Sequence, residues 1–197
     1  MSFQKYLQET VKVLQALETQ NVFSTVDNVI KVISQALVNR LPLLVCGNGG
    51  SASDAMHISG ELVGRFVKER PGLKVIALSA DQAFMTAWSN DYSYETVFAR
   101  QVEAYGEAGG VLLGLSTSGN SKNVIEAFKV AKSLSMETVA LTGESGGALA
   151  PMADYTLKVP SSITSHIQEG HLCLYHYICR EIEAICAAKL GNMEVAV

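Results

Sequence analysis

Apolar positions recur with helical spacing through the first forty residues. Phe3, Tyr6, Leu7, Val11, Leu14 and Leu17 form one stripe and Val26, Ile30, Ile33 and Leu37 a second, so the segment 1–41 reads as two helices packing on the core or on a neighbouring subunit. After Pro42 the pattern changes. Short runs at Leu43 to Cys46, Val75 to Leu78, Val111 to Leu115, Thr138 to Leu141 and Tyr155 to Val159 are interleaved with longer amphipathic stretches at Ser53 to Phe66, Gln82 to Trp88 and Asn123 to Leu134. Strand-helix alternation at this spacing predicts an α/β three-layer sandwich, a mainly parallel sheet flanked by helices on both faces. The tail from Ser165 to Ala188 is again helical, with Ile167, Leu174, Ile178, Ile182 and Ile185 on one stripe and Gly191 marking its end.

Composition narrows the class. With 197 residues, 48% apolar and 17% charged, the chain suits one globular domain spanning 1–197. A net charge of -4 and a pI near 5.6 argue against nucleic acid as a partner, because such surfaces need clustered Lys and Arg. There is no secretory signal pattern, and no apolar run approaches the ~20 residues needed to cross a bilayer. The expectation is a soluble, cytoplasmic protein with no membrane partner. Cys46, Cys173, Cys179 and Cys186 form no C-x-x-C pair and read as small core residues.

Chemistry concentrates in two short loops. Cys46-Gly-Asn-Gly-Gly-Ser51 and Ser116-Thr-Ser-Gly-Asn-Ser121 each follow an apolar run and precede a helix, which places them beyond the carboxyl ends of strands, where ligands of such sheets sit. Glycine lets the backbone come close to a ligand, and the free N–H groups and dipole of the following helix favour an anion. The first loop lacks the dinucleotide spacing and no G-x-x-x-x-G-K-[ST] occurs, so NAD and ATP are poor candidates. Hydroxyls at Ser116, Thr117, Ser118 and Ser121 suit a phosphate held without a cationic side chain. Ser51 with Asp54 also fits an ordinary capping box.

His57 and Glu61 stand four residues apart on the helix after the first loop, on one face. On that helix Ala55, Met56, Ile58, Leu62 and Phe66 are read as core-facing. Such a His/Glu pair is often only a local contact, but His166, His171 and His176, the rest of the four imidazoles, crowd into the C-terminal helix. Gln168, three residues after Ser165, also fits a capping box.

The run from Cys46 to His57, Glu61-Leu-Val-Gly-Arg65-Phe, Asn90-Asp91, Ser116 to Ser121 and Ile167-Gln-Glu-Gly-His171 together resemble the phosphoheptose isomerases, members of the sugar-isomerase (SIS) domain group. The resemblance runs from the N-terminal helices to the last helix and implies a flavodoxin-like, SIS-type sheet. It implies an aldose-ketose isomerase that converts sedoheptulose 7-phosphate, a phosphorylated seven-carbon sugar, into D-glycero-D-manno-heptose 7-phosphate for bacterial heptose biosynthesis and lipopolysaccharide. By the same resemblance His57, Glu61, Gln168 and His176 would bind zinc, one ion per active site. Asn48, Gly49, Gly50, Ser51, Glu61, Asn90, Asp91, Ser116, Thr117, Ser118, Ser121 and Gln168 would contact substrate, and the assembly would be a homotetramer with sites at subunit interfaces. The family usually carries Arg or Lys where this chain has His166.

The reaction moves a carbonyl from C2 to C1 through an enediol, with a proton leaving C1 and one arriving at C2. Glu61 is the expected base and His176 its acid partner. Gln168 and His176 lie eight residues apart, roughly 12 Å along a helix, so both reach one ion only by leaning together or by acting from different subunits. The competing reading is a non-catalytic SIS-domain adaptor, such as one binding a replication initiator, or an isomerase or sensor of another phosphosugar. A binding module has no need of an acid/base pair.

Overall fold

A computed structural model describes residues 2–19 and 22–191. Two N-terminal helices, α1 (Phe3–Thr19) and α2 (Phe23–Val38), lead into β1 (Leu43–Gly47) and α3 (Gly50–Val63). Then come β2 (Val75–Ala77), α4 (Gln82–Asp91), a 3-10 turn at Tyr94–Thr96, α5 (Val97–Tyr105), β3 (Val111–Ser116) and α6 (Lys122–Ser133). The chain closes with β4 (Glu137–Thr142), a second 3-10 turn at Ala150–Met152, β5 (Tyr155–Lys158) and α7 (Thr164–Leu190). All strand pairs are parallel and the order is β2-β1-β3-β4-β5, the flavodoxin-like arrangement that the family resemblance implied.

The two-residue period of the strands divides the interior. Leu43, Val45, Val111, Leu113, Val139 and Leu141 face the layer that holds α2, α3 and α7. Leu44, Cys46, Leu112 and Ala140 face α5 and α6. Both faces are covered, which is why these strands are short continuous apolar runs rather than alternating ones. Gly114 shares the second face with Leu112, and a Cβ there would press into Phe128 and Val124 of α6.

Several local expectations need correction. The helix read as Ser53 to Phe66 starts three residues earlier, because Gly49 at φ +56° makes the turn into it, a conformation in which glycine carries no Cβ penalty. It also stops at Val63, since the N–H groups of Phe66, Val67 and Lys68 are taken by the Glu183 carboxylate of α7. Met56 is exposed rather than core-facing; the buried stripe is Ala55, Ile58 and Leu62. Neither capping box forms, as α3 and α7 begin at Gly50 and Thr164 with no side-chain cap. Cys46, Cys179 and Cys186 are buried as expected, but Cys173 is exposed. α5 stands outside the stretches expected to be helical, although its Val97, Phe98 and Val102 share one buried face. Among the described residues no helix is long and apolar enough to cross a membrane.

Candidate active site

The two Gly/Ser loops leave the carboxyl ends of β1 and β3, the central neighbours where the strand order reverses. They are joined by a pair of side-chain amides. Asn48 Nδ2 donates to Asn123 Oδ1 and Asn123 Nδ2 donates to Asn48 Oδ1, each at 2.8 Å, while Tyr94 O–H donates to Asn48 Oδ1 at 2.7 Å. Asn123, in the first turn of α6, is buried. Sequence reasoning missed Asn123 and Tyr94. An amide side chain opening a helix directly after a hydroxyl-rich loop was the available signal for the first; nothing local pointed to the second.

In the second loop Ser116 Oγ lies 2.9 Å from Ser121 Oγ, and Ser118 Oγ accepts from the Asn120 N–H at 3.1 Å. Asn120 Oδ1 in turn accepts from the Ala148 N–H at 3.0 Å. Gly119, at φ +68°, has no room for a Cβ, which would collide with the Gly146 carbonyl. Ser121 precedes α6 without a side-chain bond to its backbone. The opening N–H groups of α6 stand at the positive end of a helix dipole directly after this hydroxyl-rich loop, a place suited to a phosphoryl group.

α3 and α7 run alongside in the same direction: Gln168 meets Gly50, Tyr175 meets His57, and Glu183 meets the segment after α3. Midway along this seam His57 Nε2 stands 3.0 Å from Glu61 Oε1 and 3.5 Å from His176 Nε2. One donor atom from each of the three residues lies within 4.8 Å of the others. Tetrahedral zinc with bonds of about 2.1 Å has ligand atoms roughly 3.4 Å apart, so the trio fits a zinc ion. Two imidazole nitrogens facing each other also favour a cation between them. With side chains 43% and 23% exposed at His57 and Glu61, one side of the cluster stays open to a substrate.

The remaining expected residues are spread around this centre. Gln168 hydrogen-bonds none of the trio; its amide fills the space that a Cβ on Gly50 would need, at the start of α3 and about 10 Å along the axis from His57. Ser51 is buried in the first turn of α3. Asn90 and Asp91, bonded to each other at 2.9 Å, are exposed at the end of α4, just before the turn that sends Tyr94 to Asn48. Of the three C-terminal imidazoles only His176 joins the trio. His171 is fully buried against the Thr142 carbonyl at 3.2 Å, and burial, opposed by that bond, pulls its pKa down to about 4. His166 ties α1 to α7 through Thr10 and Glu169 at 3.1 and 3.0 Å.

A hydroxyl-lined anion cradle, a carboxylate and two imidazoles form a set able to hold a phosphorylated sugar and shift protons on it. Known proteins agree. The SIS domain family matches residues 5–143. The chain is 45% identical to a phosphoheptose isomerase of Crocosphaera subtropica over 94% of its own length and 95% of the relative's. It is 51% identical to the Helicobacter pylori (strain P12) phosphoheptose isomerase over 81% and 83%. The solved phosphoheptose isomerase of Neisseria gonorrhoeae superposes with a TM-score of 0.86 at 40% identity, covering 92% of this chain and 96% of that one. By sequence, by fold and by the residues gathered at its sheet edge, this chain belongs to the phosphoheptose isomerase family of SIS-domain proteins.

Proposed function

We propose that the chain, acting as a single cytoplasmic domain, isomerises sedoheptulose 7-phosphate to D-glycero-D-manno-heptose 7-phosphate, opening bacterial heptose biosynthesis. The reading rests on one observation above all: His57, Glu61 and His176 converge from α3 and α7 on the helix that leaves the first loop. An adaptor would need no such convergence.

The division of labour follows from the side chains. Ser116, Thr117, Ser118 and Ser121 with the N–H groups of α6 receive the phosphoryl group. Asn48, Gly49, Gly50, Ser51, Asn90, Asp91 and Gln168 line the path of the sugar hydroxyls. Glu61 uses Oε1 toward His57, and Oε2 serves to take the proton from C1. His176 delivers a proton to C2 while the O1 proton passes to O2, so that carboxylate and imidazole act as a base and acid pair. A group ligating zinc cannot also carry the proton, so these side chains exchange ligation for proton transfer during turnover. His57, Glu61 and His176 would hold zinc, with Gln168 as fourth ligand by leaning or from an adjoining subunit; when bound, zinc supplies Lewis acidity to the sugar's adjacent oxygens.

A homotetramer completes the proposal. Its support is α1, whose Phe3, Leu7 and Val11 present an apolar stripe to solvent; a monomer in sedimentation at micromolar concentration would remove it. The activity is tested by incubating the protein with sedoheptulose 7-phosphate, with and without zinc, and following the product by NMR. An aldose heptose phosphate forming only with zinc is expected, and no product in either sample overturns the assignment.

A further inference from the structure

Behind the proposed metal ligands lies a second row of polar groups that the mechanism above leaves idle. Tyr175 of α7 is 1% exposed, yet its hydroxyl sits between two partners on α3, His57 Nδ1 at 3.0 Å and Asp54 Oδ1 at 3.3 Å. The Tyr175 ring meets the His57 ring edge-on, centroids 5.5 Å apart at 76°. The other Asp54 oxygen, Oδ2, is buried without a hydrogen-bond partner. A carboxylate oxygen buried without a partner is costly, and packing alone gives no reason to keep one.

Proton counting fixes the direction of the chain. A phenol has one proton, and a carboxylate only accepts. A phenol keeps its single proton at neutral pH, and Tyr175 donates it to Asp54 Oδ1. Its lone pairs then face His57 Nδ1 at 3.0 Å. A cation among His57, Glu61 and His176 would take the Nε2 lone pair, which leaves the ring's one proton on Nδ1, where the Tyr175 oxygen accepts it.

We infer that Tyr175, backed by Asp54, is a positioning residue for the metal: it holds the His57 ring in orientation and keeps its proton on Nδ1, so that Nε2 is presented to zinc. The inference rests on the assignment of His57, Glu61 and His176 as zinc ligands. It concerns affinity for the ion and not contact with substrate.

Tyr175→Phe removes the hydroxyl and keeps the ring. Zinc affinity of parent and variant is measured by chelator competition, without substrate, and each zinc-loaded protein is examined by proton NMR for a slowly exchanging, downfield ring N–H of His57. Partners behind a ligating histidine are generally worth about 10–100-fold in metal affinity; a loss of that order together with disappearance of the ring proton is expected. A loss under about threefold, far short of that range, or a ring proton that persists in the variant, overturns the inference. If Tyr175→Phe fails to match the parent's circular-dichroism melt without metal, Asp54→Asn takes its place and is judged on zinc affinity alone, with the same limits. A parent that binds zinc without isomerising the heptose phosphate defeats the proposed function alone, whereas a parent that binds no zinc defeats the metal assignment and this inference with it.

Discussion

The seam between α3 and α7 has an open station and a closed one, built from similar side chains. At the open station His57, Glu61 and His176 face one another, partly exposed, with more donor atoms converging than protons to share. At the closed station Glu183, 1% exposed, accepts from the N–H groups of Phe66, Val67 and Lys68 at 2.8, 2.7 and 2.8 Å. It also lies 3.4 Å from the Arg70 guanidinium, which donates onward to the carbonyls of Gly64 and Glu61, each at 2.9 Å. Burial pushes the Glu183 carboxyl up, but these partners outweigh it and hold the group below the usual carboxylate range. A carboxylate saturated by its own chain serves architecture, and one left short of partners is available to a ligand. The two stations are joined, since Arg70 grips the main chain of the residue whose side chain is the proposed base.

The contrast is broken or sharpened most forcefully at Glu61. Glu61→Gln should lower isomerisation by about 100- to 10,000-fold, the usual worth of a positioned base, while the thermal melt stays at the parent's value; a lowered melt would make the open station structural as well. Glu183→Ala should do the reverse and destabilise the fold by about 3–5 kcal/mol, the cost of leaving one member of a buried pair alone, as measured by urea unfolding. A parent-like urea midpoint would erase the distinction between the stations.

Next in size is a pH effect from His171, buried on α7 between Gln168 and Tyr175. Its folded pKa is depressed from 6.5 to about 4, so the unfolded chain binds the proton more readily. Stability from this residue is whole above pH 6.5 and is lost as pH falls toward 4, by about 3 kcal/mol. Unfolding free energies of the parent should therefore decline across that window more steeply than those of His171→Gln, and parallel declines would refute the assignment. The smallest effect belongs to Asn123→Ala, which leaves Asn48 Nδ2 without its partner. A loss of about 1–3 kcal/mol in stability with a raised KM and little change in kcat is expected; kinetics and unfolding together check it.

Much of this was legible in the chain. Period and alternation located the five strands and most helices, because runs buried on both faces must be apolar. The loops announced themselves through glycine and hydroxyl density, and the i, i+4 spacing paired His57 with Glu61. What stayed hidden was contact at long sequence range. Glu183 reads locally as one more polar position on an amphipathic helix, yet it closes a loop 115 residues earlier. Tyr175 reads as core, and its burial conceals a hydroxyl 118 residues from its histidine. The crowd of C-terminal imidazoles suggested shared chemistry, whereas packing against Thr142 and α1 withdraws His171 and His166 from it.

The clasp of Asn48 and Asn123 binds the two cradling loops with groups that carry no formal charge. Lys122, at the start of α6, is already engaged by Glu95 at 2.8 Å. Attraction by exposed lysines or arginines fades once ionic strength brings the screening length to ~8 Å, but short contacts from hydroxyls and backbone amides do not depend on such reach. Affinity for the phosphorylated sugar should therefore fall less steeply with added potassium chloride than that of a site built on lysines or arginines.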